Sequence, residues 1–304
     1  MPLDTDFNKS PYFDDFDENK KFYRILFRPA VAVQARELTQ SQTILQNQIS
    51  RFGDHIFKDG SVVKGCNPTV VKNFDFIRVD DYFYANANAI FTSINSNNVL
   101  VGLTSNVRAV PVVAKEGLLV NYPSTNRFYL KYLNTGVNGN TKFIDGETLQ
   151  IYNSSQDKLG TLSTTNLINT INVISTNASI IATGQGYGLR VEDGIVYHKG
   201  FFQLVDDQTI VVSDFDQVVG NTVVGFDTTE EIITENVDES LLDNALGYSN
   251  ENAPGAHRLK LTPGLVAKQR SDVESSNAFF IVYEFSNISN DLVISRNKNS
   301  YDQL

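Results

Sequence analysis

VAVQARELTQSQTILQNQISRFGDHIF, residues 31–57, is the long stretch whose apolar spacing is helical, and its reading decides the fold. Leu38, Leu45 and Phe52 fall seven apart. Gln42, Ile49 and Ile56 occupy the interleaved position, so the two series form a heptad seam with one polar member. An amphipathic helix over 31–58 follows. Alone in water it is marginal, because its ordering entropy is met only by burying that seam. It must therefore pack on its own β-domain or on copies of itself, and Gln42 is the kind of residue that fixes register and copy number. Gly53 is a candidate left-handed stop for the helix.

Upstream, residues 1–30 form an arm in which Tyr12, Phe13, Phe16 and Phe22 are too many apolar groups for a free tail. The arm is expected to contact another chain or to dock on the domain. No positively charged leader with an apolar core opens the sequence, so no secretory signal is expected, and no apolar run is long enough for a membrane helix.

Downstream the signals are strands. Asp59-Gly60 feeds Ser61-Val62-Val63-Lys64-Gly65, and Asp193-Gly194 feeds Ile195-Val196-Tyr197-His198-Lys199-Gly200. Two Asp-Gly turns before β-branched runs suggest two hairpins of one sheet. Between them, Val107–Val113, Arg127–Leu133 and Thr148–Tyr152 alternate and are separated by Asn/Gly/Ser turns. The expected fold is mainly β. One long N-terminal amphipathic helix precedes a β-domain (59–83 and 179–226) with a second small β-domain inserted (84–178) and a mixed C-terminal β segment (227–304). In that last segment Asp238 or Ser240 is placed to cap a one- or two-turn helix through Ala245, and strands are expected over Arg258–Leu261, Phe279–Phe285 and Leu292–Ser295.

The 304 residues carry 25 basic and 35 acidic side chains, a formal charge of −10, and no basic patch stands out for nucleic acid or an anionic membrane. One cysteine excludes an internal disulfide, and three histidines leave little for a zinc site. Asp15, Asp17 and Asn19 have calcium-loop spacing, but Lys20 stands where a glycine is needed and Leu26 where the closing Glu belongs. Gly184-Gln-Gly186-Tyr-Gly188 is followed by strand residues, so it reads as a flexible turn and no phosphate cradle. Cys66 reads as a half-buried strand cysteine, His198 and His257 as surface or satisfied histidines, and the carboxylates of 227–239 as a solvated acidic face. No catalytic, cofactor or metal residue is assigned, and the chain is not expected to be an enzyme.

The stretches RILFRPAVAVQARELTQSQTILQNQISRFGDHIFKDGS (24–61), GIVYHKGFF (194–202), LLDNALG (241–247) and APGAHRLKL (253–261) resemble an uncharacterised domain of tailed-phage virion proteins. That domain stands at the front of large baseplate or tail-fibre proteins of contractile-tailed phages, many infecting cyanobacteria. The resemblance implies a virion structural protein, assembled in the host cytoplasm, that docks an appendage through its arm and helix. Its implied partners are copies of itself, three-fold by preference, and other tail or baseplate proteins. Tyr12, Phe13, Phe16, Phe22, Leu38, Gln42, Leu45, Ile49 and Phe52 are then the candidate interface. The alternative is a carbohydrate-binding or carbohydrate-cleaving tail-spike domain, which would need paired carboxylates beside aromatic platforms.

Overall fold

The structure is a computed structural model that describes residues 3–79, 94–115, 126–153, 158–176, 181–213, 221–273 and 279–285. Fourteen strands in three sheets and one long helix near the N-terminus make the fold mainly β among the described residues. The helix, α1, spans Ala35–Ile56. It begins later than the periodicity suggests because residues 31–34 are not helical and Gln34 is extended, and the Glu37 carboxylate accepts the Gln34 N–H at 2.9 Å, closing the first turn there. Gly53 lies inside α1 and does not end it.

The chain divides into two compact units, one of residues 1–68, 191–208 and 223–304, the other of 69–190 and 209–222. The first unit contains α1 and two three-stranded sheets. One has the order β1 (Ser61–Gly65), β9 (Gly194–His198), β10 (Phe201–Val205). The other has the order β13 (Arg258–Gln269), β12 (Thr222–Ile233), β14 (Phe279–Phe285). The two Asp-Gly segments do share a sheet, but as direct partners: Ser61 faces Tyr197 and Gly65 faces Gly194. The hairpin is β9 to β10, and its turn is Lys199-Gly200, both at positive φ. Asp193-Gly194 instead joins strands of different sheets. Residues 239–241 make a single 3-10 turn capped by Asp238, shorter than the helix expected there, because Leu242 then bridges to Pro254. The expected strand Leu292–Ser295 lies outside the described residues.

The second unit is built on an eight-stranded sheet. Its order is β11 (Gln208–Ser213), β8 (Thr183–Val191), β2 (Pro68–Val79), β5 (Asn126–Tyr132), β4 (Arg108–Lys115), β3 (Asn98–Gly102), β6 (Thr148–Asn153), β7 (Leu167–Asn172). Strands β2, β8 and β11, grouped with the first β-domain on sequence, lie here in one sheet with the strands of the inserted segment, joined to them through the β2–β5 pair. Both faces of the sheet are covered: Ile77, Phe128 and Leu149 lie in one cluster, Phe74, Phe76 and Tyr129 in another, as the period-two alternation of β2 and β5 requires. Gly184, Gly186 and Gly188 lie inside β8 and form no turn. A Cβ on Gly184 would stand 2.6 Å from Phe76 Cζ, and one on Gly188 would stand 2.8 Å from Phe74 Cδ1. The alternate glycines leave room for that aromatic row.

Candidate assembly interface

Helix α1 has two unlike faces. The inner one is fixed to the β1–β9–β10 sheet: Gly53 is buried against the Tyr197 ring, and the Gln46 amide donates to Gly200 O at 2.8 Å. Tyr197, wholly buried on β9, donates its hydroxyl toward Ser50 O (2.8 Å) and Asp54 Oδ1 (2.7 Å). Burial and the Asp54 carboxylate push that phenol up to about 12, so it stays protonated. Phe57, just beyond the helix, closes the contact on Tyr197 and Phe202, with ring centroids 5.8 and 5.5 Å away.

The outer face is the heptad seam. Leu38, Leu45, Ile49 and Phe52 are 53, 62, 46 and 64% exposed. Gln42 is exposed between them, and Ile56 is half-buried. The structure thus brings all five helical residues named on sequence to one solvent-facing stripe. On β10, Phe202 and Leu204 are exposed as well.

The arm is two segments of different character. Residues 4–16 are clipped to the chain's own first unit. The Asp4 and Thr5 N–H groups and the Thr5 hydroxyl donate to the Glu230 carboxylate at 2.7–2.9 Å, and buried Lys199 reaches Asp4 and Glu230 at 2.7 and 2.8 Å. Burial alone would raise Glu230, but Lys199 and the Asp4 and Thr5 donors outweigh it and hold the carboxyl at about 2. Tyr12 meets His257 Nδ1 at 2.7 Å, and Thr43 on α1 donates to buried Asp14. Tyr12 and Phe16 are accordingly half-buried on their own domain, whereas Phe13 and Phe22 are exposed.

The following segment is exposed throughout at Phe22, Tyr23, Leu26, Phe27, Val31 and Val33. Residues 20–36 also carry five basic and no acidic side chains, leaving 20 basic and 35 acidic elsewhere. This basic run is concealed by the net charge of the whole chain and emerges on counting by window.

Other candidate chemistry is structural in form. His198 is fully buried and its Nδ1 lies 3.2 Å from Asp59; burial opposes the charge on Asp59, but the His198 contact and the Lys199 N–H hold its carboxyl low. Cys66 is buried in the β1–β2 connection and not in a strand, with φ 52°. Glu230 is drawn out of the supposed solvated acidic face by Lys199. Among the described residues no group of three or more His, Cys, Asp or Glu is placed to hold a metal. A shallow depression in the second unit, lined by Val101, Arg108, Tyr152 and Leu159–Leu162, has no carboxylate in its wall, and Arg108 donates there to the Lys158 and Gly160 carbonyls. No described helix is long and apolar enough to cross a membrane.

The sequence reading missed Tyr197, Lys199, Glu230, Phe202 and Leu204, since none stands in a periodic pattern with the helix.

Residues 10–90 and 137–304 match a family described as a domain of unknown function, DUF4815. The chain belongs to that family. No curated protein and no solved structure matches it. The DUF4815 match takes in the arm from residue 10 and all of α1, so the exposed segment and the seam lie within the family domain, while Asp4 and Thr5 precede the matched residues.

Proposed function

We propose that this DUF4815 protein is a structural component of a contractile-tailed phage virion, a baseplate or tail-fibre subunit that docks an appendage through its N-terminal arm and helix and performs no chemistry. One observation carries the reading: α1 is anchored along one face and presents an exposed apolar heptad stripe on the other. A single-chain domain gains nothing by exposing such a stripe, while an assembled subunit needs one. The resemblance of residues 24–61, 194–202, 241–247 and 253–261 to phage appendage domains supplies the setting, and the partners are copies of itself and neighbouring tail proteins.

The test is virion incorporation. Particles produced with the Leu45→Asp chain are expected to lack the protein by mass spectrometry of purified virions, while the soluble chain keeps its circular dichroism. Normal incorporation of the variant, or turnover of a host polysaccharide by the purified protein, would overturn the proposal.

A further inference from the structure

We infer that the occupant of the α1 seam is the same seam of a second copy of this chain, running parallel and in register as a two-stranded pair; this rests on the assembly reading above. Three observations select that occupant. From Leu38 to Ser50 there is no charged residue in a chain that is 20% charged. Two bodies of net charge −10 repel, so a homotypic contact is favoured at a face without charge, and Leu38–Ser50 supplies one.

Next is the seam's own chemistry. The spacing places Gln42, Ile49 and Ile56 at the a positions and Leu38, Leu45 and Phe52 at d. β-Branched residues at a with leucine at d favour two parallel strands. Only in a parallel, in-register pair does Gln42 meet its own copy, so that each side-chain amide has a donor and an acceptor opposite it. Run antiparallel, Gln42 would lie against Phe52 of the other copy with its amide unpaired.

The third observation is the room left around α1. Gln46 and Gly53, which flank the seam on its e side, are committed to Gly200 and Tyr197 of the same chain. A three-stranded coil would draw on both flanks of every helix for two neighbours; a two-stranded pair needs the narrower arc that is free here. This argues against the three-fold association that the family resemblance suggested. The four large apolar side chains of the seam, Leu38, Leu45, Ile49 and Phe52, are all exposed.

The experiment uses the full chain. Light scattering is expected to give twice the 33.9 kDa monomer mass, and Leu45→Asp, with unchanged circular dichroism, is expected to give the monomer. Leu38→Cys on mild oxidation is expected to yield covalent dimer, while the natural chain, whose one cysteine is buried, yields none. In an antiparallel pair the two Leu38 positions would be about 27 Å apart, at about 1.5 Å per residue, and would not cross-link. A trimeric mass, a monomeric natural chain, or no Leu38→Cys cross-link would each overturn the inference. A monomer that still enters virions overturns this pairing and leaves the proposed function standing; a cross-linked dimer found in no virion does the reverse.

Discussion

A side-chain carbon on Gly53 would stand 2.6 Å from the Cζ of Tyr197, inside the space that the ring already fills. Glycine in mid-helix costs roughly 1 kcal/mol relative to alanine. Here that cost admits an aromatic ring whose hydroxyl holds two turns of α1 through Ser50 and Asp54. The ring cannot swing aside, being wholly buried between Phe57 and Phe202. Gly53→Ala is therefore expected to destabilise by about 1–3 kcal/mol, an overpacking cost, despite its better helix propensity. Urea unfolding checks this; a stabilised variant would mean that α1 does not sit on Tyr197 as described.

Ile44 and Leu45 are neighbours in sequence with opposite environments, 4 and 62% exposed. Ile44→Ala is expected to cost about 2–5 kcal/mol, as large-to-small core changes do. Leu45→Ala is expected to stay within about 0.5 kcal/mol when measured at concentrations where the chain is monomeric. Denaturant melts of the two variants at low protein concentration make the comparison, and equal losses would show that the seam is folded inward.

The seam was legible because a heptad is a one-dimensional pattern: Leu38, Leu45 and Phe52 announce it without any tertiary knowledge. Strand existence was legible for the same reason, and Phe279–Phe285 coincides with β14. What occupies each face was not legible. The role of Gly53 depends on Tyr197, 144 positions away, and a glycine near a helix end reads equally as a stop or as a close approach. Gly184, Gly186 and Gly188 looked like a turn for a related reason. Their alternation is strand-like, but the aromatic row above them comes from β2 and β5, which no local window contains. The clip of Asp4 and Thr5 on Glu230 spans 225–226 positions, so an acidic cluster that looked solvated holds one carboxylate with a fixed partner.

Cys66 should behave as a reporter of opening at the β1–β9 edge. Burial, reinforced by Asp193, pushes its thiol up to about 11, so the thiolate that reacts with alkylating reagents is scarce at pH 8. Iodoacetamide labelling of the native chain is expected to be at least about 100-fold slower than that of an unstructured thiol. Gly194→Ala should abolish that protection, because a Cβ there would collide with the Lys64 carbonyl and lie 2.6 Å from Cys66 N and Sγ. Labelling followed by mass spectrometry decides the matter, and fast modification of the natural chain would contradict the burial.

Glu230 sets the acid limit of the arm. Its carboxyl falls from an ordinary 4.5 to about 2 in the folded chain, so as pH drops the unfolded chain takes up this proton first. The stabilisation is therefore complete above about pH 4.5 and is lost progressively between about 4.5 and 2, on the order of 3 kcal/mol in all. Lys199 is held above its ordinary 10.5 by the Asp4 and Glu230 carboxylates, which outweigh its burial. Its contribution is complete below 10.5 and does not alter the acid window. Glu230→Gln should flatten the pH dependence of stability in that window and cost on the order of 3 kcal/mol at neutral pH, since it takes from buried Lys199 one of its two carboxylates and leaves only that of Asp4. Because the same carboxylate receives the Asp4 and Thr5 amides, the variant should also free the first residues of the arm and speed tryptic cleavage after Lys9, whose side chain is already exposed, at pH 7. Urea midpoints at pH 5, 4 and 3 with a timed digest read both effects; an unchanged slope together with unchanged cleavage after Lys9 would show that the arm is held by something other than Glu230.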